Sequence, residues 1–204
     1  MLVKICGITT VEAALTAERA GASMIGFLFA PSSRRIDPEK AAEIARQLSP
    51  TVKKVGVFVN ETKETIEKIA ELVGLDFIQL HGDESASFAE SLCRPVIKAF
   101  NINEVSDDVL RSYPCDYYLI DSPGTTYRGG SGKVFDWSRL LDRNIDRRKL
   151  ILAGGLNTAN VVEAITTVRP AGIDVSSGVE TNGKKDHTKI ELFIEVVRET
   201  ITEI

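Results

Sequence analysis

Histidine and cysteine are scarce in this chain, with two histidines, His81 and His187, and three cysteines, Cys6, Cys93 and Cys115, in 204 residues. The thiols are odd in number and widely spaced, and no CxxC pair occurs. Neither a disulfide framework nor a structural zinc site is expected, and no metal site is assigned. Basic charge is also short: 25 Lys and Arg against 29 Asp and Glu leave a net charge of -4. General nucleic-acid binding, which needs a basic stripe to neutralise phosphates, is therefore excluded as an expectation. An anionic ligand would have to be held by local groups. No apolar run approaches the roughly 18 residues of a membrane span, and the N-terminus lacks the charged, apolar and small-residue segments of a secretory signal. A cytoplasmic protein without a membrane partner is expected. Low-complexity linkers are missing too, which predicts one domain over residues 1–204.

What is present is a single rhythm. Apolar residues make up 43% and charged residues 26% of the chain, proportions that speak against disorder. Short β-branched runs of strand length occur at 3–7, 24–29, 53–59, 76–81, 96–100, 116–121, 150–154 and 172–177, and helix-like stretches follow them. Ala41, Ile44, Ala45 and Leu48 fall at helical spacing, as do Ile66, Ile69, Ala70 and Val73. The weakest helix is the one after 96–100, where only Val105, Val109 and Leu110 are apolar. Thr9 and Glu12 have the spacing of a capping box, Asp37 before Pro38 reads as an N-cap, and Gly21 and Gly74 read as helix stops. Strands alternating with helices require parallel pairing and right-handed crossovers. Eight such units predict an α/β chain folded as a single-domain (β/α)8 TIM barrel. An open doubly wound sheet is the alternative.

In a barrel the active site lies at the C-terminal ends of the strands. Cys6, His81 and Asp121 end predicted strands, Arg34 lies in the loop after the second, and Asp174 is near the end of the eighth. Each alone has an ordinary reading, as a buried thiol, a solvated arginine, a backbone-held histidine or a capping aspartate. Their joint placement at one mouth is what those readings do not predict. The last two strand ends carry glycine loops, "AGGLN" (Ala153 to Asn157) and "SSGVE" (Ser176 to Glu180). Asn157 is the predicted N-cap of the helix after the first of these. Glycines let backbone N–H groups approach an anion, and in barrels these two loops recurrently bind phosphate. Gly154, Gly155, Ser176, Ser177 and Gly178 are the candidates. A third cluster, "YRGGSGK" (Tyr127 to Lys133), lacks the spacing of a nucleotide P-loop and reads as a glycine-hinged lid or a plain surface excursion.

These strings together resemble one family. "VKICGIT", "GFLFAPSSRRI", "GVFVN", "IQLHGDE", "LIDS" with "GGSGKVFDW", "LAGGLN" and "DVSSGVE" with "GKKD" are similar, in the same order, to phosphoribosylanthranilate isomerases. The resemblance implies an isomerase of tryptophan biosynthesis that converts N-(5-phosphoribosyl)anthranilate to 1-(2-carboxyphenylamino)-1-deoxyribulose 5-phosphate by an Amadori rearrangement. It implies no cofactor, a phosphorylated small molecule as partner, and a monomer or homodimer. By the same resemblance Cys6 is the general base and Asp121 the general acid. Arg34, with Arg35 as the adjacent alternative, receives the anthranilate carboxylate, His81 and Asp174 contact or orient the substrate, and the glycine and serine loops hold its phosphate. Cys93 and Cys115 match nothing functional and are expected to be packing residues. The chemistry asks Cys6 to be partly thiolate and Asp121 to be protonated. An aspartate on the eighth strand, about 4.8 Å from the first, would oppose the thiolate unless hydrogen bonds held it back. Two rivals share parts of the pattern. An indole-glycerol-phosphate synthase would call for a catalytic lysine and a glutamate inside the barrel, and no strand-end lysine stands where one would be needed, Lys98 being mid-strand. A non-catalytic phosphoribosyl-binding module is the other.

Overall fold

A computed structural model of the chain describes residues 1–121 and 136–203. The expected lid at Tyr127 to Lys133 lies outside the described residues. Eight strands, β1 (Leu2–Cys6), β2 (Met24–Leu28), β3 (Lys53–Phe58), β4 (Phe77–Leu80), β5 (Val96–Asn101), β6 (Tyr117–Asp121), β7 (Leu150–Leu152) and β8 (Gly172–Val175), form a closed barrel in sequence order. Every neighbouring pair is parallel, and β1 closes the ring on β8 with Lys4 opposite Asp174. The open doubly wound alternative is thereby excluded.

Period-two alternation divides the strand residues between two cores. Val3, Ile5, Ile25, Phe27, Ile120, Leu152 and Ile173 face outward, where the helices cover them. Met24, Val55, Ile97, Leu119 and Ile151 fill the barrel itself, with Leu2, Phe77 and Tyr117 packed against them. On β1 this parity sends Leu2, Lys4 and Cys6 inward. The interior is therefore apolar toward the N-terminal ends of the strands and becomes polar toward the other mouth.

The helices are α1 (Val11–Ala20), α2 (Pro38–Ala45), α3 (Lys63–Val73), α4 (Ala86–Glu90), α5 (Asp107–Ser112), α6 (Val161–Val168) and α7 (His187–Glu203). Asp37 caps α2 as expected, accepting from the Glu39 N–H at 3.0 Å with Pro38 next to it. Gly21 and Gly74 end α1 and α3 at φ of 107° and 70°, a left-handed conformation that glycine adopts without a Cβ penalty.

Four local expectations are corrected. The N-cap of α1 is Thr10, not Thr9, because Thr10 Oγ1 is the acceptor for the Ala13 N–H at 3.3 Å. α6 starts at Val161 rather than after Asn157, since the Asn157 side chain instead accepts from the Ala159 N–H at 2.8 Å and closes a separate turn. Between β6 and β7 the described residues hold only short 3-10 turns, Trp137–Leu140 and Arg147–Lys149, and no α-helix. Arg143 from this stretch grips α5, with Nε 2.5 Å from Asp107 Oδ1 and Nη2 2.6 Å from the Val105 carbonyl oxygen. α5 does form, but only Leu110 is buried, Val109 being 43% exposed. Finally, Cys93 is exposed, so it is not a packing residue, whereas Cys115 lies partly buried against the outer core.

Candidate active site

The mouth is built around Cys6, the last residue of β1 and buried. Lys4, two residues earlier, shares its inward face and is only 1% exposed. Its ammonium is 2.8 Å from Asp174 Oδ1 on the adjacent strand β8. Burial alone would lower the Lys4 pKa, but Asp174 and Cys6 more than offset it, and the net direction is strongly upward. Lys4 is held as an ammonium. For Cys6 the largest effect is burial, which pushes the thiol above its ordinary value; Lys4 and Lys185 pull it back down by charge, and Asp174 pushes with burial. On the other side of Cys6, β2 presents Gly26 in direct register. A Cβ at Gly26 would stand 2.8 Å from Cys6 Sγ and 3.2 Å from Lys4 Nζ. The thiol and the ammonium occupy the space that a side chain there would take.

Arg34 reaches the mouth from the loop after β2, and its neighbour Arg35 is exposed. Glu180 takes the guanidinium bidentately, accepting from Nε at 2.7 Å and Nη2 at 2.9 Å. The Arg34 side chain crosses Gly7, where a Cβ would meet Arg34 Cδ at 2.8 Å and Ser176 Oγ at 3.2 Å. Glu180 begins a small hairpin, β9 (Glu180–Thr181) and β10 (Lys184–Lys185), turned by Asn182 and Gly183 at φ of 52° and 74°. The return strand brings Lys185 Nζ to 2.5 Å from Glu180 Oε1 and 2.9 Å from the Ser176 carbonyl oxygen. Burial would raise the Glu180 pKa, but Arg34 and Lys185 more than reverse this and hold it below the usual carboxylate range.

Opposite this cluster, Asp121 ends β6, three strands from β1 by way of β7 and β8, and is 7% exposed. His81 Nε2 lies 3.7 Å from Asp121 Oδ2. Buried Gln79 places its amide nitrogen 3.1 Å from His81 Nδ1, so an amide N–H donated there leaves the ring proton on Nε2, facing Asp121. The turn after His81 is pinned from below: Glu84 accepts from the Gly82 and Asn60 N–H groups, and Lys98 Nζ sits 3.1 Å from Glu84 Oε2. Lys98 thus faces the helix layer, away from the barrel interior.

The two glycine loops meet at the remaining side. Gly154 and Gly155 have φ of 89° and 65°, and the Gly155 carbonyl accepts from Asn160 Nδ2 at 3.0 Å. A Cβ at Gly178 would overlap the Leu156 carbonyl oxygen and stand 3.1 Å from Asn157 Cα, so the loops pack backbone against backbone. Ser176 and Ser177 lead into the short 3-10 turn Ser177–Val179. The structure thus brings every sequence-expected site residue to one end of the barrel, with Asp174 one layer below Cys6 and engaged by Lys4.

A family model described as N-(5'phosphoribosyl)anthranilate (PRA) isomerase matches residues 3–196. The chain belongs to this family. An N-(5'-phosphoribosyl)anthranilate isomerase of Oceanobacillus iheyensis is 52% identical over 195 residues, 95% of either chain. The crystal structure of phosphoribosyl anthranilate isomerase from Thermus thermophilus covers 98% of this chain and 99% of its own at 37% identity, with a TM-score of 0.86. Another phosphoribosyl anthranilate isomerase, crystallised with reduced 1-(o-carboxyphenylamino)-1-deoxyribulose 5-phosphate, is 41% identical, with 98% of this chain and 100% of that one covered and a TM-score of 0.83. Against that isomerase frame, the residues that sequence reasoning missed are Lys4, Gln79, Glu180 and Lys185. Strand parity was the available signal for Lys4, which shares a face with Cys6 at i−2. Glu180 and Lys185 stood in the motifs "SSGVE" and "GKKD" without an assigned role. Lys4 also puts a lysine inside the barrel, where none was expected.

Proposed function

We propose that this protein isomerises N-(5-phosphoribosyl)anthranilate to 1-(2-carboxyphenylamino)-1-deoxyribulose 5-phosphate, a step of tryptophan biosynthesis. Beside family membership, the observation that carries the reading is a thiol and a carboxylate, Cys6 and Asp121, ending strands three places apart around one mouth. Asp121 gives a proton to the ribose ring oxygen, the ring opens, and the C1–nitrogen bond becomes a protonated Schiff base. Cys6 takes the C2 proton onto sulfur, leaving an enolamine that tautomerises to the ketone. Groups on different sides of the sugar suit these two transfers, since the ring oxygen and the C2 hydrogen do not share an approach. His81 faces Asp121 across 3.7 Å and orients the sugar on that side of the mouth.

Arg34 receives the anthranilate carboxylate. Glu180 engages two of the five guanidinium N–H donors, so donors remain for a second carboxylate and the fork is held in one plane. Phosphate is held by backbone N–H groups of Gly154, Gly155, Ser176, Ser177 and Gly178, where a chain with a net charge of -4 needs local donors. Asp174 orients the substrate from below through Lys4. The substrate is a free phosphorylated small molecule, and a cytoplasmic location fits such a reaction; no helix among the described residues is long and apolar enough to cross a membrane.

Fluorescence-followed consumption of phosphoribosylanthranilate by the purified protein tests the proposal. Conversion without release of carbon dioxide is expected, which also separates it from a decarboxylating ring closure. A folded sample that consumes no fresh substrate overturns it.

A further inference from the structure

We infer that Lys4, clamped by Asp174, is a positioning residue that sets the ionisation of Cys6, with Asp174 governing how much of the ammonium's charge the sulfur feels. The inference rests on the isomerase reading for its consequence, but its physical basis is the geometry inside the barrel. Lys4 Nζ is 2.8 Å from Asp174 Oδ1, and both Nζ and Cys6 Sγ abut the point where Gly26 lacks a Cβ. An ammonium carries three donors, so the bond to Asp174 leaves two more on the side of the barrel that Cys6 shares.

A buried ion pair is a poor way to stabilise a barrel interior, because desolvating two charges costs as much as their attraction returns. The surrounding interior, Met24, Val55, Ile97, Leu119 and Ile151, is filled with apolar side chains. Charge beneath a reactive thiol has another use. The groups acting on Cys6 are Lys4 on its own strand, Asp174 on β8, Lys185 on the return strand of the hairpin, and Arg34 from the loop after β2. Arg34 and Lys185 both bind Glu180, and Lys4 binds Asp174. Three cations against two carboxylates leave one positive charge, which a Cys6 thiolate neutralises. Lys4 is not the amine of a Schiff-base enzyme: it lies below Cys6, and Asp174 keeps it protonated and without a nucleophilic lone pair. It remains an ammonium throughout, while sulfur alone gains the substrate's C2 proton.

The coupling is measurable without substrate, by peptide-resolved alkylation of Cys6 with iodoacetamide across pH, which also separates Cys6 from exposed Cys93. Lys4→Met is expected to move the Cys6 midpoint upward and slow alkylation at pH 8 about tenfold, one pKa unit being a factor of ten. Asp174→Asn is expected to move it the opposite way and speed alkylation several-fold, because the ammonium is then left to the thiol. A merely structural role would loosen the strand end and move both variants in the same direction. Unchanged profiles, or shifts of one sign, overturn the inference; should Lys4→Met not fold, an Asp174→Asn midpoint at or above wild type does so by itself. Opposed alkylation shifts in a protein that does not turn over phosphoribosylanthranilate would sink the isomerase reading and leave the coupling standing.

Discussion

Glu180 holds Arg34 with both carboxylate oxygens, at 2.7 and 2.9 Å, across 146 residues of chain. The same carboxylate binds Lys185, so a hairpin after β8 determines where an arginine from the loop after β2 points. Glu180→Gln keeps the shape and loses the charge-assisted fork. We expect KM for phosphoribosylanthranilate to rise roughly tenfold, equivalent to about 1.4 kcal/mol, with kcat changed far less. Steady-state kinetics decide it, and a loss confined to kcat would contradict the placement of Arg34 at the carboxylate.

Cys6 is expected to carry the pH dependence. Burial raises its pKa above the ordinary thiol value and Lys4 offsets only part of that, so the thiolate is the minor form near neutrality and grows as pH rises. Accordingly kcat/KM should climb from pH 7 through the ordinary thiol range instead of levelling off below it. The corresponding stability change has the opposite sign: a thiol ionised less readily in the folded than the unfolded state costs stability as pH rises through the unfolded pKa. Cys6→Ser should lower kcat by about a hundredfold or more, the usual loss for a positioned base. A flat alkaline limb, or near wild-type kcat in the serine variant, would assign the base elsewhere.

Asp121 and Asp174 should separate in their kinetics. Asp121→Asn removes the carboxyl group proposed as the proton donor and should abolish ring opening while a reduced product analogue still binds, as titration would show. Asp174→Asn should leave measurable turnover, because Asp174 is engaged by Lys4 beneath the mouth. Stronger loss of kcat in Asp174→Asn would exchange the roles.

Gly178 lets the two glycine loops pack against each other by having no side chain. Alanine there would drive its Cβ into the Leu156 carbonyl oxygen, and backbone cannot rotate away as a side chain can. KM should rise at least tenfold, and inorganic phosphate should lose its competitive inhibition. A crystal grown in sulfate should show the anion between the Gly154–Gly155 and Ser176–Gly178 segments of the wild-type protein; an anion elsewhere in the mouth would move the site.

Local physical chemistry made much of this legible from sequence. Asp37 before Pro38 and the stops at Gly21 and Gly74 depend on dihedral angles and hydrogen bonds within a few residues, and the sequence alone determined them. The count of alternating strand and helix units determined the barrel, and strand-end position singled out Cys6, His81 and Asp121. Choices between near-equal neighbours were not determined: Thr10 over Thr9, Arg34 over Arg35, Val161 over a start beside Asn157. Each depends on which group meets a partner after the chain has packed. The charge cluster lay further still from local reading, because Lys4 meets Asp174 across 170 residues and only the pairing of β1 with β8 brings them together. A buried lysine is identical in sequence to a solvated one; ring closure removed its water and supplied its carboxylate, and that long-range event turned an ordinary strand residue into part of the site.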